Sequence, residues 1–117
     1  MLAAGTVAAR HLSPGEALGR LSGSDAMRAP ASITQAPRLI YSAKADNLER
    51  VYVFDSAAKK GYMVVSADDV APALLAYSDS ETLDIDNMPD NMRYWLDEYA
   101  RQIAYAAQNA EGDGEPA

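Results

Sequence analysis

The sequence predicts an α+β fold, in which an antiparallel sheet of about four strands packs against a long C-terminal helix and short N-terminal helices. Short runs of β-branched, aromatic and aliphatic residues, separated by polar turns, predict the strands, and they lie at residues 39–41, 51–54, 62–65 and 74–77. After them, apolar side chains recur at the spacing of one helix face; these are Met92, Trp95, Leu96, Tyr99, Ala100 and Ile103. The 117 residues fit one domain.

The N-terminal region predicts two short helices between residues 6 and 21, interrupted at residues 13–16. Ser13 is placed to cap the second helix, with Pro14 at its first position and Glu16 completing a capping box. We expect Leu18 and Leu21 to form its buried face. Residues 22–37 are rich in Ser, Ala, Gly and Pro, which predicts a long surface loop.

The third strand, at residues 62–65, is apolar at consecutive positions, which predicts a central strand covered on both faces. The C-terminal helix is the candidate cover. Its start is indicated by Asn87 as a cap, Pro89 in the first turn and Asp90 at the positive end of the helix dipole.

The C-terminal end of the chain changes in composition after Asn109. On the polar face of the helix before it, Asp97 and Arg101 are spaced to form an i, i+4 ion pair. Residues 110–117 carry no apolar anchor. We therefore expect a single domain over residues 1–109, followed by a flexible tail or linker toward a missing catalytic domain.

Charge and composition exclude several function classes. Seventeen acidic against ten basic residues give a net charge of −7, which disfavours nucleic acid as a partner. The chain has no cysteine, so disulfides and thiolate chemistry within it are excluded. No apolar run reaches the roughly 18 residues of a membrane span, and residues 1–5 do not have the form of a signal peptide.

Residues that could carry chemistry have plainer interpretations. His11 is the single histidine and is expected in the first helix, without the partners of a catalytic triad. A calcium loop starting at Asp84 fails at its fifth, sixth and twelfth positions. Asp68 and Asp69 are adjacent, so their side chains point apart and indicate a turn rather than paired catalytic carboxylates. No cofactor or metal site is predicted.

Several segments together resemble a known family. Residues 52–54, 61–69, 76–80 and 91–103 are similar, in order and spacing, to the pro-domain of streptopain-type bacterial cysteine proteases or to related stand-alone inhibitors. The resemblance covers residues 39–106. The chain departs from the family at Ala76, where a glycine is usual, and at residues 81–83, so the loop that follows is expected to differ.

The resemblance implies an inhibitory function rather than catalysis. Such a domain keeps a papain-like cysteine protease inactive, in cis or in trans, and assists its folding; an asparagine at the start of the last helix meets the region of the catalytic histidine. The matching residue is Asn91, and the protease-contacting set expected from the 78–91 segment is Asn91, Asn87, Asp90, Ser78, Asp79 and Ser80. The resemblance also implies a secreted, periplasmic or cell-surface location, with the signal peptide absent from this chain.

Other functions stay open at this point. A stand-alone inhibitor uses the same chemistry without a catalytic domain downstream. A small surface interaction domain on the same scaffold, with no protease partner, is a different class. Tyr94 and Tyr105 fall beside the apolar stripe, and we expect both to be exposed, where they suit a partner surface.

Overall fold

A computed structural model describes residues 9–21, 29, 33, 35–56 and 60–113, with side chains as far as residue 109. In this part of the chain a short helix precedes a sheet of four strands, and a long helix follows it. The elements are α1 (Pro14–Gly19), β1 (Arg38–Ala45), β2 (Leu48–Asp55), β3 (Tyr62–Ser66), β4 (Leu74–Ser78), a 3-10 turn (Ile85–Asn87) and α2 (Asp90–Asp113).

The four strands form one antiparallel sheet in the order β1-β2-β3-β4, which confirms the predicted strands and fold class. Asp46 and Asn47 connect β1 to β2, and both have positive φ, 57° and 67°. A two-residue turn with positive φ at both positions matches the right-handed twist of the strands it joins. Sequential pairing of neighbours therefore builds the whole sheet.

Both faces of the sheet are covered, as the apolar run at residues 62–65 predicts. One face carries Met63 and Val65 and packs against the N-terminal region. The opposite face carries Val64 and packs against α2. The helix contacts β1 and β2 most closely, so part of the sheet beside β4 is not under it.

The face of the sheet that α2 covers, called here the α2 face, packs against the predicted apolar stripe of the helix. Leu96 and Ala100 are fully buried, and Ile103 is almost so. Trp95 is half-buried, with its ring edge-to-face on Tyr99 at 4.6 Å between centroids. This packing anchors the helix on the sheet.

The start of α1 forms as its sequence predicts. The Ser13 side chain accepts from the Glu16 backbone amide, and the Glu16 carboxylate accepts from the Ser13 amide, which completes a capping box. Ala17 is the buried residue of this short helix. Leu18 and Leu21 are half-buried and pack beside it, with Leu21 beyond the helix end.

The predicted first helix is wrong where the structure describes it. Residues 9–12 are not helical, and His11 forms a β-bridge with Asp68. The Leu12 amide donates to the Ala67 carbonyl oxygen at 2.8 Å, and the Leu12 side chain is fully buried. Backbone pairing with the residues that follow β3 therefore replaces the helix predicted from the local spacing of apolar residues. Residues 6–8 lie outside the described residues.

The predicted surface loop at residues 22–37 is corrected at two positions. Ala29 and Ile33 are buried against the sheet, so this segment contributes to the core. The remaining residues between 22 and 34 lie outside the described part of the chain.

The ends of α2 differ from the sequence prediction. Asn87 does not cap α2, because it lies in the preceding 3-10 turn and the helix begins at Asp90. Arg101 pairs with Glu98 rather than with Asp97. Helical backbone continues to Asp113, four residues beyond Asn109. The division into a domain and a linker stays a prediction.

Candidate functional site

The candidate site is the connecting loop, residues 78–91, which joins the end of β4 to the start of α2. Its first turn is fixed by Ser78, whose hydroxyl accepts from the Ser80 amide at 3.4 Å and the Glu81 amide at 3.1 Å. Gly61 packs directly beneath this turn with φ of +118°. An added Cβ at Gly61 would lie 2.8 Å from the Ser78 carbonyl oxygen. The loop therefore leaves β4 over a position that only glycine fits.

The middle of the connecting loop is organised by Asp84. Its carboxylate accepts from the Asp86 amide at 3.1 Å and from the Asn87 side-chain Nδ2 at 2.9 Å. The side-chain hydrogen bond from Asn87, and then the Asp86 amide, lower the pKa of Asp84 below its ordinary value. Met88 is buried in the α2 face of the core, which ties this turn to the domain.

The loop ends in the first turn of α2, where Asn91 is exposed. The Asn91 Oδ1 accepts from the Met92 amide at 2.9 Å. The side chain is exposed, and no described residue accepts a hydrogen bond from its Nδ2 group. One end of the side chain is thus used internally, and the other is available to a partner.

All six residues predicted to contact a protease lie on this loop. Ser78 is half-buried, and the other five are exposed; these are Asn91, Asn87, Asp90, Asp79 and Ser80. The Gly-to-Ala departure at Ala76 is accommodated inside β4, where Ala76 pairs with Val64. Contact between these six residues and a protease stays a prediction.

A second polar cluster was not found from the sequence. Arg50 and Asp68 are both buried, and their side chains approach to 3.5 Å between Nη1 and Oδ2. Arg50 Nε also donates to the Ala45 carbonyl oxygen at 3.1 Å, and the Val70 amide donates to Asp68 at 3.0 Å. Burial raises the pKa of Asp68 above its ordinary value, against the lowering effects of the Val70 amide and the Arg50 charge.

The surroundings of this pair indicate a structural role. Asp69, next to Asp68, is exposed and accepts from the Arg10 amide at 2.7 Å, so the two carboxylates have different partners. His11 is half-buried, with Nε2 at 3.0 Å from the Glu49 carbonyl oxygen. The contacts of Arg10 and His11 with Asp69 and Asp68 hold the N-terminal segment against the turn after β3. An arginine directly before an apolar strand is the sequence signal that could have indicated a buried partner.

The described residues hold no group of three or more His, Cys, Asp or Glu side chains placed to bind a metal ion. Among them, no helix combines the length and the apolar character needed to cross a bilayer. Tyr94 and Tyr105 are 66% and 68% exposed on the outer side of α2, which confirms their predicted exposure.

Comparison with known proteins identifies the family. Residues 9–103 match the family model described as Spi protease inhibitor, a span that contains α1, the whole sheet and most of α2. A 74-residue part of the chain is 35% identical to the thiol protease/hemagglutinin PrtT of Porphyromonas gingivalis. That region is 62% of this chain and only 8% of PrtT. No solved structure matches significantly. On the family match, the chain belongs to the Spi protease inhibitor family.

Proposed function

We propose that this domain inhibits a papain-like thiol protease of the streptopain type, as the propeptide of that protease. The observation that carries the proposal is the family match, which spans the sheet, the connecting loop and the start of α2. Similarity to a region of a thiol protease supports a propeptide over an unrelated inhibitor. A secreted or cell-surface location, and assistance in folding the protease, belong to the same proposal.

The inhibitory surface is the connecting loop. Its backbone is held at three places, by Ser78, by Asp84 and by the buried Met88, so it presents a fixed shape between two rigid elements. Fixed loops bind with a smaller loss of conformational entropy than mobile ones. The exposed polar side chains between these anchors suit contact with a hydrophilic protein surface.

Inhibition acts on the catalytic histidine of the protease, its general base, rather than on its substrate cleft. A cysteine nucleophile needs its histidine within hydrogen-bond reach, since that histidine sustains the thiolate. The Nδ2 group of the exposed Asn91 donates a hydrogen bond in the region of that histidine and helps hold the histidine out of line. Residues 110–117 serve as the connection toward the catalytic domain.

The experiment is an inhibition titration of a streptopain-type protease with a fluorogenic peptide substrate. Asn91→Asp keeps an oxygen for the Met92 amide and adds favourable charge near the helix start, but it removes the Nδ2 donor. We expect Asn91→Asp and Asn91→Ala both to weaken inhibition, by about tenfold or more. Asn109→Ala, at an exposed asparagine near the other end of α2, is the matched control.

Two results separate the parts of the proposal. No inhibition by the unaltered domain at micromolar concentration would reject the function itself. Equal inhibition constants for the unaltered domain and both Asn91 variants would remove Asn91 from the mechanism and leave the function in place.

A stand-alone inhibitor is the second candidate function. The description of the matched family, a protease inhibitor, favours it. The sequence of the full gene separates the two, because a propeptide is followed by a catalytic domain in the same reading frame.

A further inference from the structure

The two edges of the sheet are protected unequally. β1 carries exposed Arg38 and Lys44 and has two irregularities in its register with β2. Charges and bulges of this kind prevent edge-to-edge pairing. β4 has no charged residue over Leu74–Ser78 and one irregularity, and no strand in the described part of the chain pairs with its outer side. Within the described residues, β4 is therefore an edge available to another strand.

An apolar groove lies next to this edge on the α2 face. It is present because α2 lies over β1 and β2, which leaves space between the helix and β4. Val70 and Leu75 line one side, and Tyr99 and Ile103 line the other. Its volume is about 240 Å³, below the roughly 300–1,000 Å³ of small-molecule sites. The groove suits one or two apolar side chains rather than a cofactor.

An unpaired strand edge beside an apolar groove is the arrangement by which a sheet binds an extended peptide segment as an added strand. Main-chain hydrogen bonds along the edge provide affinity, and a pocket for alternate side chains provides specificity. A segment paired with β4 would direct every second side chain toward the α2 face, where the groove lies. The remaining side chains would lie on the other face beside Tyr77, which is 44% exposed.

Charge decides between a second copy and a different protein. Each copy of this chain carries a net charge of −7, so two copies repel. Past the end of β4, Asp79 and Glu81 are both exposed. A segment with a basic residue at that end complements them, whereas a second β4 contains no charged residue to do so.

We propose that the β4 edge binds an extended segment of the thiol protease by strand addition, with an apolar side chain in the adjacent groove and a basic residue beside Asp79. The inference rests on the proposed function and extends its surface, because β4 leads directly into the connecting loop. One continuous face, from Leu74 to Asn91, would then contact the protease.

The test uses the unaltered domain and two lysine variants at matched positions. Tyr77→Lys adds to β4 the type of charge that protects β1. Leu39→Lys does the same on β1, where the residue is 45% exposed. We expect Tyr77→Lys to raise the inhibition constant about tenfold or more, and Leu39→Lys to leave it unchanged. Urea unfolding of each variant checks that it is folded.

Hydrogen exchange on the complex needs no variant. Alternate amides of β4 are not bonded to β3. In the complex with the protease catalytic domain, these amides should exchange at least about tenfold more slowly than in the free domain. The amides of β1 should exchange at the rates of the free domain. This measurement decides the matter even if Tyr77→Lys fails to fold.

The outcomes are distinguishable. Inhibition by the unaltered domain, with unchanged exchange in β4 and full inhibition by Tyr77→Lys, would overturn strand addition and leave the proposed function standing. Absence of inhibition would overturn both. Slow exchange in β4 that depends on domain concentration, without protease, would make a second copy the occupant and overturn the proposal.

Discussion

Replacing Gly61 by alanine should destabilise the domain strongly, since two costs coincide at this residue. Its φ is +118°, in a region that side-chain-bearing residues rarely adopt. The added Cβ would also lie 2.8 Å from the Ser78 carbonyl oxygen and 3.3 Å from the Asp79 Cα. Both neighbours are backbone atoms, so the contact cannot be relieved by turning a side chain.

The magnitude follows from these two costs. Backbone strain of this kind costs about 1–3 kcal/mol, and overpacking in a closed space costs about the same. The free energy of unfolding should fall by about 2–5 kcal/mol, a large part of the roughly 5–15 kcal/mol of a domain this size. With a urea dependence of about 1.5 kcal/mol per molar, the unfolding midpoint falls by about 1–3 M.

Fluorescence of Trp95, the single tryptophan, reports the unfolding, because its ring packs on Tyr99 in the folded domain. Gly15→Ala is the matched control: Gly15 lies in α1, and its added Cβ meets no atom within 4 Å. That control should be neutral or stabilising by up to about 1 kcal/mol. Equal urea midpoints for Gly61→Ala and the unaltered domain would refute the reasoning.

Three further changes have defined outcomes. Leu96→Ala removes a fully buried side chain from the α2 face and should cost about 2–5 kcal/mol in urea unfolding. Arg50→Met leaves Asp68 buried without its cation and should cost about 3 kcal/mol near neutral pH, and less in acid, where Asp68 is protonated; an equal cost at both pH values would contradict this. The pKa of Asp68 is raised above 3.8 in the folded state, so the folded state binds this proton more tightly than the unfolded state does. Proton binding at Asp68 therefore stabilises the folded state below pH 3.8, and this stabilisation is lost as the pH rises through the folded-state pKa. The free energy of unfolding of the unaltered domain, relative to that of Asp68→Asn, should therefore fall as the pH rises above 3.8. A relative stability that grows with pH would show that attraction to Arg50 outweighs burial.

The sequence predicts the elements whose signal is local. The strands and the stripe of α2 follow from hydrophobic periodicity, and the capping box at Ser13 needs only residues three positions apart. All of them form as predicted.

Features that depend on distant partners were missed. His11 was expected in a helix, but its backbone pairs with Asp68, 57 positions later, and no periodicity within residues 6–12 carries that information. Ile33 lies in a segment with little periodic apolar signal and is nevertheless buried, in the same core cluster as Met63 on the sheet. Arg50 and Asp68 each look like surface residues until both are placed.

The candidate site shows the same division. The sequence located the connecting loop through its polar, non-periodic character, and the structure adds the internal bonds of Ser78 and Asp84. Asn87 was expected to cap α2, yet it is bound by Asp84 in the turn before, since Pro89 intervenes between it and the helix.

The pairing of Leu12 with Ala67 has a consequence for the order in which the molecule can assemble. The two residues are 55 positions apart (67 − 12), and the Leu12 side chain is fully buried once they meet. A ribosome adds about 5–20 residues per second, so about 3–11 seconds pass between the synthesis of Leu12 and that of Ala67, whose carbonyl oxygen accepts its hydrogen bond. During that interval the nascent chain carries Leu12 without its native backbone partner, and translation speed sets how long a chaperone has to cover it.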